Sequence, residues 1–198
     1  MAPIPVPDHL EAFTQFDDVV SQTEDIAART ADIIAPHADE VSRAQALFEW
    51  VRDEIPHTKD IDGQVVTCTA DEVLTTGTGI CFAKAHLLAA MMRTAGIPCG
   101  FCYQVFENDD APADRRAALH GLNAIYLRET GQWHRLDPRG NRDDVHAEFS
   151  LDEEQLAFPE LEFLDECVHA APLPHVVSAL RDASTIEELW PKLPSVPR

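Results

Sequence analysis

The stretch that most constrains this chain is Thr76-Gly77-Thr78-Gly79-Ile80-Cys81, followed by the run Phe82 to Ala95 and then by Gly96-Ile97-Pro98. The two glycines make a turn, and the run after Cys81 has helical spacing, with Leu87, Leu88, Met91 and Met92 as its buried stripe. Gly96 lets the chain leave that helix and Pro98 prevents its resumption. Three strand-like runs follow with no helix between them: Cys99 to Phe106, Leu119 to Arg128, and Gln132 to Leu136. The last two are joined by Glu129-Thr130-Gly131, a short hairpin. Consecutive strands flanked by helices predict an α+β fold, in which a central helix packs on an antiparallel sheet.

The rest of the chain fills out that order. The first eight residues read as a loose arm. Helices are predicted from Asp17 to about Ile34 and from Asp39 to Glu54, each stopped by a proline, Pro36 or Pro56. His57 to Thr69 is polar, with a short extended piece at Val65-Val66, and Ala70 to Leu74 reads as one helical turn. Glu107 to Arg116 is an acidic loop. C-terminal helical segments are predicted at Leu151 to Phe158, Pro174 to Asp182 and Thr185 to Trp190. No repeat or linker divides the 198 residues, so one domain over 1–198 is expected.

The cysteine is placed for chemistry. A helix N-terminus offers unpaired N–H groups and the positive end of a dipole, which favour thiolate over thiol. The hairpin then supplies partners. His120 lies near the start of one strand and Asp137 just past the end of its antiparallel neighbour, so folding about Thr130 brings both to one end of the ribbon. Cross-strand and diagonal neighbours come within about 5–8 Å, close enough for an Asp–His hydrogen bond. Cys81, His120 and Asp137 thus read as nucleophile, base and orienter. Backbone N–H groups at the start of the helix, that of Cys81 included, are natural oxyanion donors.

These residues resemble the transglutaminase-like superfamily. The resemblance rests on Gly79-Ile-Cys81, the helix after it, Gly96-Ile-Pro98, His120, and Trp133-His-Arg-Leu-Asp137-Pro138, and it covers about Val41 to Gly140. It is closest to the compact bacterial members often described as cysteine proteases. It implies a papain-like core and a Cys81–His120–Asp137 triad. It also implies acyl transfer at peptide or glutamine-type amide bonds through a thioester. Hydrolysis is favoured, because nothing marks a second, amine-binding site. Protein cross-linking and a catalytically silent binding module are the alternatives.

Two departures from the family bear on the site. Animal transglutaminases use a tryptophan ahead of the cysteine at the oxyanion, and none occurs between His57 and Gly79; Trp50 falls on the preceding helix. Candidates for the second oxyanion donor, or for lining the groove, are Gln64, His57, Thr58 and Gln104, while Asn123 is a rival orienter. The aromatic often found after the catalytic histidine is replaced by Gly121-Leu122, which predicts a smaller and more open wall. Asp60, Arg139 and Asn141 are further groove candidates.

Composition excludes some partners. With 15 Lys plus Arg against 35 Asp plus Glu, the net charge is −20, which repels nucleic acid and anionic lipid. Basic or neutral peptide or protein amides are the expected substrates. The N-terminal sequence lacks a signal-peptide pattern and no apolar run is long enough for a membrane span. Five cysteines, odd in number and scattered, fit reduced thiols in a cytoplasm. Cys99-Gly-Phe-Cys102 has redox-pair spacing, but residues three apart on a strand face opposite sides. The histidines show no paired ligand spacing and the chain has no calcium-loop pattern, so neither metal nor cofactor is expected. The oligomeric state is left open.

Overall fold

A computed structural model describes residues 4–6 and 9–196. Five residues of the expected N-terminal arm, 1–3 and 7–8, fall outside that range. After a short 3₁₀ turn (Leu10–Thr14) come α1 (Glu24–Ile34), α2 (Glu40–Glu54), a second 3₁₀ turn (Thr58–Ile61), α3 (Ala70–Thr76) and α4 (Cys81–Thr94). The strands are β1 (Cys99–Glu107), β2 (Ala117–Leu127), β3 (Gln132–Leu136) and the two-residue β4 (Glu162–Phe163). Two helices close the chain, α5 (Pro174–Asp182) and α6 (Ile186–Leu189), the latter running into a 3₁₀ turn (Trp190–Lys192).

The sheet is antiparallel throughout, in the order β3-β2-β1-β4. Its two faces differ in what covers them. One carries the larger apolar cluster, in which Cys99, Phe101, Leu119, Ile125 and Leu127 meet Leu87, Leu88, Met91 and Met92 of α4 and Leu47, Phe48 and Val51 of α2. The second cluster holds Phe13, Cys102, Leu122, Ala124, Trp133 and Leu156. Cys99 and Cys102 therefore lie in different clusters, as a strand requires of residues three apart. Burial pushes their thiols up, to about 12 and about 11. That leaves both protonated and unsuited to redox exchange.

The predicted stop after α4 and the hairpin are present: Gly96 has φ +77°, Gly131 has φ +67°, and Gly131 N–H donates to Leu127 C=O. Three expectations need correction. The first helix begins at Glu24 rather than Asp17, because the Asp17 carboxylate accepts the N–H groups of Val19 and Val20 and closes a local turn. Thr23 then caps the real start by accepting from Ile26 N–H. Leu151–Phe158 is not helical: Glu148 N–H donates to Gln155 C=O and Ala157 N–H to the Asp137 carboxylate, which holds the segment open.

The third correction concerns α4, which is enclosed on all sides from Phe82 to Arg93 rather than along one stripe. Lys84, not one of the predicted stripe residues, is wholly buried. Its ammonium donates to the carbonyls of Ile55 and, at 3.2 Å, Arg52, the unpaired end of α2. His86 donates to Cys68 C=O at 2.6 Å, and Arg93 binds Gln15, Cys99 and Ala170 carbonyls. These three polar side chains tie the central helix to the loops around it.

Candidate active site

The turn ahead of the cysteine is built as its glycines require. Gly77 closes α3 with φ +73°, donating to Val73 C=O. His57 then pairs with Gly79 in a parallel bridge, and Thr58 N–H donates to Gly79 C=O at 3.2 Å. Cys81 opens α4, half-buried, on the wall of a cleft of about 410 Å³.

His120 and Asp137 meet as the hairpin geometry predicts. Asn123 pairs with Leu136 in the β2–β3 register, so Asp137, one residue past β3, sits diagonally from His120. His120 Nε2 donates to Asp137 Oδ2 at 2.8 Å, with His120 nearly buried and Asp137 fully so. The carboxylate also accepts Arg139 N–H at Oδ1 (3.1 Å) and Ala157 N–H at Oδ2 (3.2 Å). Three donors fix it in direction. Its bond is made at Nε2, so Nδ1 is left free of the carboxylate, and the Cys81 sulfur acts on the ring electrostatically.

Burial alone would drive the proton off His120. The Asp137 carboxylate and the Cys81 sulfur outweigh that and push the imidazolium up to about 10. The ring is therefore held as a proton donor across the physiological range.

The other walls come from far apart in the chain. Phe106, Leu119, Phe158, Leu161, Trp190 and Leu193 make the apolar lining, and Lys59, Asp60, Arg139, Arg142 and Glu160 the charged one. Phe158 meets the His120 ring edge-on, centroids 5.0 Å apart at 89°. This overturns the open wall expected from Gly121. A Cβ at Gly121 would stand 2.5 Å from Phe82 Cδ1, so the glycine exists to admit the Phe82 ring, and an aromatic beside the histidine arrives from residue 158. Asp60 and Arg139 line the cleft as an ion pair, whereas Asn141 caps the loop at Ala147 and stands outside the lining.

Of the remaining candidates, Gln64, Gln104, Asn123, Thr58 and His57, one lines the cleft. Gln64 is exposed and accepts from Glu187 N–H. Gln104 is buried and donates to the carbonyls of Phe158 and Leu161, holding the wall from behind. Asn123 is buried under α4, donating to Ala85 and Gly100 carbonyls, so it does not orient the histidine. Thr58 is buried and bonds Thr78. His57 remains in the lining. Sequence reasoning missed Phe158, Trp190 and Lys59, whose ammonium lies 3.4 Å above the Trp190 ring. No periodicity marks them, because long-range contacts bring them in.

A helix that delivers a cysteine to a His–Asp pair on an antiparallel sheet defines a papain-like α+β thiol fold. The chain belongs to the transglutaminase-like superfamily, which it matches over residues 27–138. Among solved structures it is similar to a putative cysteine protease from Cytophaga hutchinsonii, with 16% identity and TM-score 0.54 over 68% of this chain and 43% of that one. It is also similar to the periplasmic domain of TgpA from Pseudomonas aeruginosa, with 20% identity and TM-score 0.52 over 68% of this chain and 48% of that one. The chain thus spans less than half the length of either. No curated protein sequence matches it. Among the described residues, no helix is long and apolar enough to cross a membrane.

Proposed function

We propose that this protein is a cysteine-dependent acyl-transfer enzyme acting on peptide or glutamine-type amides, with water as the favoured acceptor. The observation that carries the reading is the buried His120–Asp137 bond of 2.8 Å in the cleft that Cys81 lines. The thiolate of Cys81 attacks the amide carbon and the carbonyl electrons move to oxygen. As the C–N bond breaks, the proton on His120 Nδ1 passes to the departing amine and a thioester remains. His120, now neutral, takes a proton from water, whose oxygen attacks the thioester. The acid leaves, and the thiolate–imidazolium pair is restored. Asp137 keeps the Nε2 proton in place and stabilises the charged ring throughout.

Hydrolysis is favoured over cross-linking because nothing in the sequence marks a second, amine-binding site. The five unpaired cysteines fit a reducing compartment such as the cytoplasm; fractionation of the native host would check this. The chemistry is tested with iodoacetamide at low concentration near neutral pH. Cys81 should be labelled stoichiometrically ahead of Cys68, Cys99, Cys102 and Cys167, and Cys81→Ala should abolish amide turnover. Equal or absent labelling of Cys81 sinks the proposal.

A further inference from the structure

His57 is a buried side chain with an unused donor. Its residue is 5% exposed, yet it lines the same cleft as Cys81 and His120. Its backbone is bridged to Gly79, two residues ahead of the cysteine, which fixes the ring beside the start of α4. Lys59 N–H donates to Nδ1 at 3.3 Å. A backbone N–H can only donate, so Nδ1 carries no proton and the neutral ring bears its hydrogen on Nε2. Nε2 has no hydrogen-bond partner among the described residues, and it is not among the sealed, unpartnered polar atoms of the interior. The free N–H therefore opens onto the cleft.

A proton on such a ring has a specific use. Attack by the Cys81 sulfur puts negative charge on the substrate oxygen, and one backbone N–H at the head of α4 satisfies only part of it. We propose that His57 Nε2–H is the second oxyanion donor, a neutral catalytic imidazole that touches the reacting oxygen while His120 moves the protons. This rests on the acyl-transfer reading above. The roles of the two histidines are kept apart by their partners. His120 has a carboxylate at Nε2 and is held charged. His57 has a backbone donor at Nδ1, and burial together with the charges of Arg139, Lys84, His120 and Lys59 holds its proton affinity well below the usual histidine range. A neutral ring donates to the oxyanion without surrendering its proton to it or competing as the base.

Two reactions of Cys81 separate this role from a structural one. Alkylation by iodoacetamide displaces iodide and forms no oxyanion, whereas acylation by p-nitrophenyl acetate passes through one. Both are followed by intact mass in the full-length protein. His57→Ala should leave the alkylation rate and its selectivity for Cys81 nearly as in the wild type, while acylation falls by about 10²-fold. His57→Gln, which retains an N–H donor, should recover part of the loss. If His57→Ala does not fold, His57→Phe keeps the ring volume without the donor and serves instead. Unchanged acylation overturns the assignment, and so does an equal fall in both reactions, which would place the effect on the thiolate. If wild-type Cys81 is not labelled selectively, the acyl-transfer reading fails and takes this one with it. Selective labelling with unchanged acylation in the variants removes His57 alone.

Discussion

The two sides of the cleft are made in opposite ways. On one side, α4 and the β2–β3 hairpin supply Cys81, His120 and Asp137 from regular elements close in sequence. On the other, Phe158, Glu160, Leu161, Trp190 and Leu193 come from the largely irregular chain that returns after β3. The first side is held by helix and sheet hydrogen bonds. The second hangs on a few long-range ones: Gln104 to the carbonyls of Phe158 and Leu161, Asn108 to that of Trp190, and Leu119 N–H to that of Pro194. On the proposed reading, chemistry that tolerates little displacement sits on rigid elements, while the surface that meets substrate sits on segments that can vary without disturbing it. If so, variants on the hairpin side should lower kcat, and variants on the returning chain should chiefly raise KM.

The largest effect should come from Asp137→Asn. It keeps the shape but removes the charge that holds the imidazolium, and turnover should fall by about 10³–10⁴-fold, as loss of the carboxylate does in other triads. The pH profile should change with it. With the carboxylate present the His120 proton is lost only near pH 10, so activity should persist far into the alkaline range and fall as pH rises through that value. Without it the ring, still buried, loses its proton at lower pH, and the alkaline limb should move toward neutrality. A fall of less than tenfold, or an unmoved limb, would break the assignment of chemistry to the hairpin side.

A smaller effect is expected from behind the opposite wall. Gln104→Leu removes two donors, leaving the carbonyls of Phe158 and Leu161 without them, and should lower stability by about 1–2 kcal/mol. Part of the loss is offset, because Gln104 Oε1 is itself buried without a partner and leaves with the substitution. With the wall loosened, KM should rise while kcat and the alkaline limb stay close to wild type. A kcat loss as large as that of Asp137→Asn would show that the returning chain positions the chemistry after all.

The same contrast explains what could be read from the sequence. The helix stop at Gly96-Ile-Pro98, the hairpin at Thr130 and the meeting of His120 with Asp137 follow from local rules, turn residues and strand period, and all three were legible. Leu151–Phe158 has the composition of a helix, but one bond to Asp137 and a bridge to Glu148 decide its path, and no local pattern records them. The burial of Lys84 is hidden from the sequence for a related reason. A lysine one turn past the helix start reads as solvated unless the frayed end of another helix is known to need a donor, and Ile55 and Arg52 supply that need only in the folded chain. Gly121 departs from the family's pattern, and its cause, the Phe82 ring, lies across the sheet–helix interface.

Phe158 gives the mildest and most discriminating test, because it belongs to the returning chain yet touches the chemistry. Its ring stands edge-on to His120, an arrangement worth about 0.5–1.5 kcal/mol beyond simple burial. Phe158→Ala removes that contact and lets water reach the His120–Asp137 bond, which screens the charges that keep the ring protonated. The expected result is a loss of about two- to tenfold in kcat/KM, together with a modest downward shift of the alkaline limb. Phe158→Leu restores an apolar cover without the ring and should recover the limb but only part of the rate. If neither variant moves the limb, Phe158 is a substrate wall alone, and the division between the two sides of the cleft is cleaner than the His120 contact implies.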